Sequence, residues 1–168
     1  MNPLKNKLLV LALGNDLMGD DAAGLAAARE LKKEFGSVID IFEVASAGFM
    51  LLDVMEGYEK VLLLDTVLSG NGSMGTVREL TKEDLSKKFS NSPHYVGLPE
   101  LIELAERLDI NFPKVIRALV IEINESGIIR LGLNKEIEEK IPLLVEKASR
   151  LVNKWLTEST VEQHSLVN

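Results

Sequence analysis

Cysteine is absent from this chain and histidine occurs only twice, at His94 and His164, and both shortages exclude classes of chemistry. Without cysteine there is no thiol nucleophile, no zinc–thiolate site and no disulfide framework, a composition compatible with a reducing cytosol. Two histidines cannot provide the several imidazole ligands of a zincin, and no H-E-x-x-H helix is present. A G-x-S-x-G nucleophile elbow is also missing, so the common hydrolase signatures do not explain this sequence.

Basic residues, phosphate-binding glycine motifs and long apolar runs are also scarce. The chain has 19 basic residues against 26 acidic ones, a net charge of −7 and no basic cluster, so nucleic acids and anionic membranes are poor candidate partners. No G-x-G-x-x-G or P-loop motif occurs, which leaves a nucleotide-binding domain with little support. The N-terminal apolar run is too short for a signal peptide or a membrane span. We therefore expect a cytoplasmic protein without membrane insertion.

The sequence does contain a regular alternation of apolar runs and amphipathic segments. The apolar runs predict strands at Lys7–Leu13, Val38–Val44, Val61–Leu64, Thr76–Leu80 and Val115–Ile123. The amphipathic segments predict helices at Ala22–Phe35, at Phe49–Met55, at Glu100–Leu108, and from an Asn134 N-cap to about Leu156 with a kink or break at Pro142. This order is typical of a three-layer α/β/α sandwich with a mostly parallel sheet of about five strands. We expect a single domain over residues 1–156, a disordered tail over 157–168, and a monomer.

The first strand and the first helix are joined by an unusually acidic stretch, Gly14–Gly24, which reads G-N-D-L-M-G-D-D-A-A-G. Its three aspartates are too many for a phosphate-binding turn and a good supply of ligands for a cation. In parallel α/β sheets the functional site lies at the carboxyl ends of the strands, where this stretch would meet Asp65 at the end of the V-L-L-L strand. Two carboxylates from this edge and one imidazole, that of His94, would together suit nickel, zinc or cobalt through oxygen and nitrogen ligands.

Each of these residues also has a simpler structural explanation. An aspartate at a helix start caps free N–H groups, and for Asp20 we weigh that explanation equally with a functional one, although a second acid, Asp21, is less well explained by capping. Asp65 could close a turn at its strand end. A lone histidine such as His94, in S-P-H-Y, is more often a loop residue bonded to the backbone. Composition and spacing alone therefore support a metal site only weakly.

Four motifs, taken in order, favour one known family. They are Gly14–Gly24, A-S-A-G at Ala45–Gly48, L-L-L-D-T-V at Leu62–Val67 and S-P-H-Y-V-G-L at Ser92–Leu98. With these motifs the sequence resembles, from about Leu8 to Leu156, the hydrogenase maturation endopeptidases. Those enzymes trim the C-terminus of the large subunits of nickel–iron hydrogenases.

The resemblance implies an endopeptidase in which Asp21, Asp65 and His94 are the catalytic residues and the three protein ligands of a nickel-recognition site. It also implies that the nickel is carried by the substrate, a hydrogenase large-subunit precursor, and that its presence is the signal for cleavage; zinc or another divalent ion could substitute. The floor on which the substrate's tail lies would be formed by Gly14, Asn15 and Gly48. A nickel-binding carrier or sensor without peptidase activity is the alternative that stays open.

Overall fold

A computed structural model describes residues 7–45, 48, 50–69, 73–86 and 98–165 of this chain, without the side chains of 160 and 162–165. The strands of the described part are β1 Leu8–Leu13, β2 Asp40–Val44, β3 Lys60–Leu68, β4 Val77–Thr81 and β5 Val115–Ile123. They form one five-stranded sheet in the order β2-β1-β3-β5-β4. Every neighbouring pair is parallel except β4 and β5, which are antiparallel. The predicted mostly parallel sheet of five strands is confirmed.

Two of the three inner strands, β1 and β3, are apolar enough to be covered on both faces. All of β1 is buried, and so is β3 from Val61 to Val67. Neither strand has the alternating polar positions that are typical of a sheet with one face in solvent. Both faces of the sheet therefore need to be covered by helices. The runs L-L-V-L-A-L and V-L-L-L therefore explain why these strands occupy the interior of the sheet.

Helices cover both faces and complete the three layers. The described helices are α1 Ala23–Phe35, α2 Met50–Met55, α3 Lys82–Ser86, α4 Leu98–Arg107, α5 Lys135–Glu138 and α6 Ile141–Ser165. Helices α1 and α6 pack on the face of the sheet that carries Leu62 and Leu64. Helices α2, α3 and α4 pack on the opposite face, which carries Leu63. Within the described ranges, no helix is both long enough and apolar enough to cross a membrane.

Strand β3 is longer than predicted, and its extra length changes the position of Asp65. The sequence placed Asp65 at the end of a strand over Val61–Leu64, but β3 continues to Leu68 and Asp65 lies inside it. The extension has a partner, because residues 65–68 stay in register with residues 120–123 of β5. Strand β1, by contrast, pairs with β3 only as far as Leu64. Asp65 therefore lies within β3 but just beyond the end of its pairing with β1.

The C-terminal helix also differs from its prediction. It is divided as expected, but the break falls between α5 and α6, and Pro142 is the second residue of α6, where its missing N–H removes no helical hydrogen bond. The disordered tail predicted over 157–168 is wrong for residues 157–165, which are helical. This part of α6 packs on the rest of the protein, since Ser159 is buried and Lys60 Nζ donates to Glu158 Oε2 at 2.8 Å. The single domain over 1–156 stays a prediction.

Candidate active site

Buried charge is concentrated at one end of the sheet. In the part of the chain that the structure describes, the buried charged residues are all acids: Asp20, Asp21, Asp65 and Glu122. Asp20 and Asp21 follow β1, Asp65 lies in the second half of β3, and Glu122 is the penultimate residue of β5. Since these strands are parallel, all four acids lie toward their carboxyl ends. This is the edge at which the sequence predicted the site.

The order of the strands creates a crevice at the same edge. From β1 the chain passes through α1 to β2 on one side, and from β2 it returns past β1, through α2, to β3 on the other side. The connections that leave β1 and β3 therefore diverge, which is the topological switch point where open α/β sheets bind their ligands. Asp21 and Asp65 belong to the two strands that flank this point.

Asp21 is fixed by the turn that precedes α1. A 3₁₀ turn over Gly19–Ala22 carries it into the interior, where its residue is 7% exposed and its Oδ1 accepts a hydrogen bond from Thr66 Oγ1 at 3.2 Å. Gly14 makes this possible, because a Cβ on Gly14 would lie only 2.2 Å from the backbone oxygen of Asp21. The φ of Gly14, +151°, is also one that side chains disfavour. The structure thus gives Gly14, predicted as part of the substrate floor, a contact that positions Asp21.

A second glycine, to which the sequence analysis gave no role, brings α1 close to the central strands. A Cβ on Gly24 would lie 2.7 Å from the backbone oxygen of Leu64 and 3.1 Å from that of Leu13. The first turn of α1 therefore sits directly on β1 and β3, which only a residue without a side chain allows. Gly24 closes the acidic motif, and that place in the motif was the signal that could have identified it.

Asp65 and Thr66 connect β3 to the loop that carries Asp21. Asp65 is completely buried, and its Oδ1 accepts the backbone N–H of Thr66 at 2.7 Å. Strand alternation directs Asp65 to the face of α2 and α4 and Thr66 to the face of α1, where it meets Asp21. The pairing of β1 with β3 has already ended at Leu64, so no hydrogen-bond ladder between these two strands separates the two sides at this level. Thr66 is thus a linking residue that the sequence analysis missed, although it stands in the L-L-L-D-T-V motif.

Asp20, next to Asp21, has a different and purely structural set of contacts. Its Oδ1 accepts the backbone N–H of Asn134 at 2.6 Å, and its Oδ2 accepts the side-chain amide of Asn134 at 2.7 Å. Arg130 Nη2 lies 3.2 Å from Asp20 Oδ1. No side-chain cap is formed at the start of the 3₁₀ turn or of α1. Neither explanation weighed for Asp20 describes this role, which is to tie the acidic loop to residues 130–134.

The rest of the acidic loop is held by polar contacts at the surface. Asn15 Oδ1 accepts the backbone N–H of Leu17 at 2.9 Å, so this predicted floor residue shapes the loop. Arg29 Nη2 contacts Asp16 Oδ2 at 2.7 Å and Glu43 Oε2 at 2.6 Å. The hydrogen bond from Arg29 lowers the pKa of the exposed Asp16 carboxyl below its usual value. Asp16 is thereby paired with a cation and turned away from the buried acids.

Of the two remaining predicted site residues, the structure describes Gly48 but not His94. Gly48 has a φ of +75°, and no described atom lies within 4 Å of the position that a Cβ would take, so the space beside it is open in the described part of the chain. His94 and the rest of residues 87–97 lie outside the described residues. Among the residues that are described, no three histidines, aspartates or glutamates are grouped so as to hold a metal ion. The three-ligand set with His94 therefore stays a prediction.

Glu122 is a buried acid on the same face of the sheet as Asp65, and it forms an ion pair. It lies beside Val67 in the β3–β5 register, and Val67 is two residues after Asp65. Arg78 of β4, whose side chain is half exposed, contacts Glu122 Oε1. Glu122 is therefore neutralised from the neighbouring strand, and the sequence analysis had not singled it out.

The fold and this edge define an α/β protein with buried carboxylates at a topological switch point. A profile of the hydrogenase maturation protease family matches residues 25–151 of the chain. The chain is also 31% identical over 160 residues to the hydrogenase 2 maturation protease of Escherichia coli K12, an alignment that covers 93% of this chain and 94% of that protein. The protein described here belongs to the hydrogenase maturation protease family.

Solved structures with the same fold agree with this assignment. The hydrogenase maturating endopeptidase HybD of E. coli superposes with a TM-score of 0.76 at 25% identity, over 88% of this chain and 93% of that one. The [NiFe] hydrogenase maturation protease HybD of Thermococcus kodakarensis gives a TM-score of 0.69 at 30% identity, over 86% of this chain and 98% of that one. The resemblance found in the sequence is confirmed, and the family makes this protein a protease.

Proposed function

We propose that this protein is an endopeptidase that removes the C-terminal extension of a nickel-loaded large-subunit precursor of a nickel–iron hydrogenase. The observation that carries the proposal is the pair of buried carboxylates, Asp21 and Asp65, which Thr66 connects at the switch point of the sheet. Membership of the hydrogenase maturation protease family supplies the class of reaction. The substrate and the use of nickel are what the resemblance of the motifs around these residues implies.

The chemistry of the two carboxylates supports a cation at this site. Carboxylate oxygens are ligands that divalent metal ions bind in proteins. A divalent ion that arrives with the substrate would bring positive charge to both Asp21 and Asp65 and be held through their oxygens. His94 would add a nitrogen ligand, and such a mixed set suits nickel and zinc.

In this proposal the nickel belongs to the substrate and reports that the precursor has received its metal. Asp21, Asp65 and His94 occupy part of the coordination sphere of that ion and so hold the neighbouring peptide bond in a fixed place, which favours its cleavage. Gly14, Asn15 and Gly48 form the floor beneath the tail of the substrate. A precursor without metal cannot be coordinated by these three side chains, and it is therefore not cleaved.

The decisive experiment mixes the purified protein with a nickel-loaded precursor and measures the mass of the product. We expect loss of a C-terminal peptide from the nickel-loaded precursor and no change in the metal-free one; a zinc-loaded precursor tests whether zinc can substitute. Asp21→Ala, Asp65→Ala and His94→Ala are each expected to reduce the cleavage rate by more than about 100-fold. Asp16→Ala, which removes an exposed acid from the same loop, is the matched control and should cleave normally.

The same experiment distinguishes the carrier alternative. A carrier or sensor would bind nickel tightly by itself and leave a verified cognate precursor at full mass. The endopeptidase should bind nickel weakly in isolation, because three protein ligands leave the coordination sphere incomplete. Full processing by His94→Ala would remove His94 from the proposed ligand set. The cytoplasmic location and the monomeric state stay predictions, which fractionation of cells and light scattering would test.

A further inference from the structure

A short stretch after β5, the edge segment (residues 127–132), lies against the loop that carries Asp21. Met18 and Arg130 form a parallel β-bridge. In this bridge the N–H of Gly19 donates to the oxygen of Arg130 at 2.8 Å, and the N–H of Arg130 donates to the oxygen of Leu17 at 3.0 Å. Gly127 and Gly132 bound the segment with φ of +76° and +81°, a conformation that favours glycine. The edge segment is thus one short strand-like piece between two glycine turns.

The outer side of the edge segment is open. Backbone groups of successive residues alternate in direction along an extended chain, so those of Ile129 and Leu131 face away from the loop. Within the described ranges, no backbone hydrogen bond is made to either residue. Their side chains are also open, since Ile129 is 83% and Leu131 is 78% exposed. An apolar strand edge of this kind favours pairing with another chain, and proteins usually cover it or place charges on it.

Arg130 connects this open edge rigidly to the candidate active site. Its Nη2 lies 3.2 Å from Asp20 Oδ1, and its Nη1 donates to Asn134 Oδ1 at 3.1 Å. The guanidinium also fills the space beside Gly19, where a Cβ would lie 3.0 Å from Nη2. Since Asp21 directly follows Asp20, a peptide paired with the outer side of the edge segment is separated from the loop that carries Asp21 by the edge segment alone.

We propose that the edge segment binds an extended apolar stretch of the precursor's C-terminal region as an added β-strand. This inference rests on the proposed function for the identity of the substrate. The occupant is extended because the free backbone groups of Ile129 and Leu131 alternate with those already bonded to the loop. It is apolar because the two side chains beside those groups are apolar and exposed. Strand addition at this place holds the tail of the precursor one strand away from the loop that carries Asp21.

Substitutions at the edge separate side-chain from backbone recognition. The double variant Ile129→Asp/Leu131→Asp keeps the backbone but opposes apolar contact, and we expect KM for the nickel-loaded precursor to rise about tenfold or more while kcat stays within about twofold. Leu131→Pro removes one backbone N–H and keeps an apolar side chain, and it should raise KM in the same direction. Leu108→Asp, at another exposed leucine (62%), is the matched control and should leave KM unchanged. Circular dichroism and thermal unfolding show that each variant is folded.

Hydrogen exchange measures the contact directly in the unmodified protein. The enzyme is labelled briefly in deuterated buffer, alone and with precursor in excess over KM, and slower exchange is expected at the amides of Ile129 and Leu131. If the enzyme cleaves the precursor but these amides exchange at the same rate and the variants keep a normal KM, the edge proposal alone is overturned. If the enzyme neither binds nor cleaves a loaded precursor, both proposals are overturned. Protection that appears without precursor and grows with enzyme concentration shows that a second copy covers the edge, which also overturns strand addition by the substrate.

Discussion

At the amino ends of the strands charged side chains form ion pairs at or near the surface, whereas at the carboxyl ends four of the described acids are buried. Lys7 Nζ lies 2.9 Å from Glu59 Oε1, and both side chains are more than one-third exposed. Lys60, the first residue of β3, reaches Glu158 of α6 at 2.8 Å. At the other end Asp21 and Asp65 are buried and are connected through Thr66.

The comparison separates two kinds of charged residue by their burial. Exposed ion pairs contribute about 0–1 kcal/mol each, so the amino ends hold charge at little cost and with little gain. Burying a carboxylate is costly, so the contacts that hold each buried acid are informative. Asp20 has Asn134 and Arg130 as partners, whereas Asp21 accepts a hydrogen bond from Thr66 Oγ1 and Asp65 accepts one from the backbone N–H of Thr66. Asp21 and Asp65 are the acids that the proposed function uses.

The largest expected effect in this comparison is the loss of the Asp20 contacts. Asp20→Ala removes the acceptor of two hydrogen bonds from Asn134 and the partner of Arg130, and it leaves the N–H of Asn134 without that acceptor. We expect the free energy of unfolding to fall by about 2–4 kcal/mol. Urea denaturation measures it. The exposed Asp16→Ala is the control, with a loss below about 1 kcal/mol. Equal urea midpoints for Asp20→Ala and the unmodified protein would show that burial of this acid does not stabilise the fold.

A smaller effect is expected from the Thr66 hydroxyl, which links β3 to the loop that carries Asp21. Thr66→Val keeps the shape of the side chain but removes the donor to Asp21, and it should lower kcat/KM for the nickel-loaded precursor about tenfold. Thr66→Ser keeps the hydroxyl and is expected to retain most of the activity. Precursor cleavage followed by mass spectrometry gives both rates. Normal cleavage by Thr66→Val would mean that the hydrogen bond to Asp21 is not needed to position that carboxylate.

The smallest expected effect lies at the opposite end of the sheet. The hydrogen bond from Lys60 lowers the pKa of Glu158 from its usual value, with attraction to Lys60 and Lys154 acting in the same direction. Because the folded-state pKa is the lower one, the stabilisation is present at neutral pH and is lost as the pH falls through that pKa. Glu158→Gln should therefore cost less than about 1 kcal/mol at pH 7. Unfolding free energies measured from neutral to acidic pH should converge for the two proteins; a gap that widens on acidification would contradict this sign.

The bounds of strands and helices were predicted most accurately where neighbouring residues alone define the element. The strand Val115–Ile123 was predicted with its observed bounds, and the helix Ala22–Phe35 was placed within one residue of α1. The edge of the sheet that carries Asp21 and Asp65 also followed from the order of strands and helices. The end of β3 was wrong because pairing with β5 carries the strand through Asp65 to Leu68. The composition of β3 alone does not show how far its pairing with β5 extends.

The amino-acid sequence was sufficient for the fold class, the family and the position of the acidic loop, because apolar periodicity and short motifs act over a few neighbouring residues. Tertiary structure decided which partners each acid contacts. Asp20 meets Asn134 across 114 positions of the chain, and Asp21 meets Thr66 across 45. Asp20 and Asp21 are neighbours in the sequence but have different partners, because the 3₁₀ turn directs their side chains to different distant parts of the chain. The open edge beside Ile129 and Leu131 likewise exists only because Arg130 pairs with a loop that is remote in sequence.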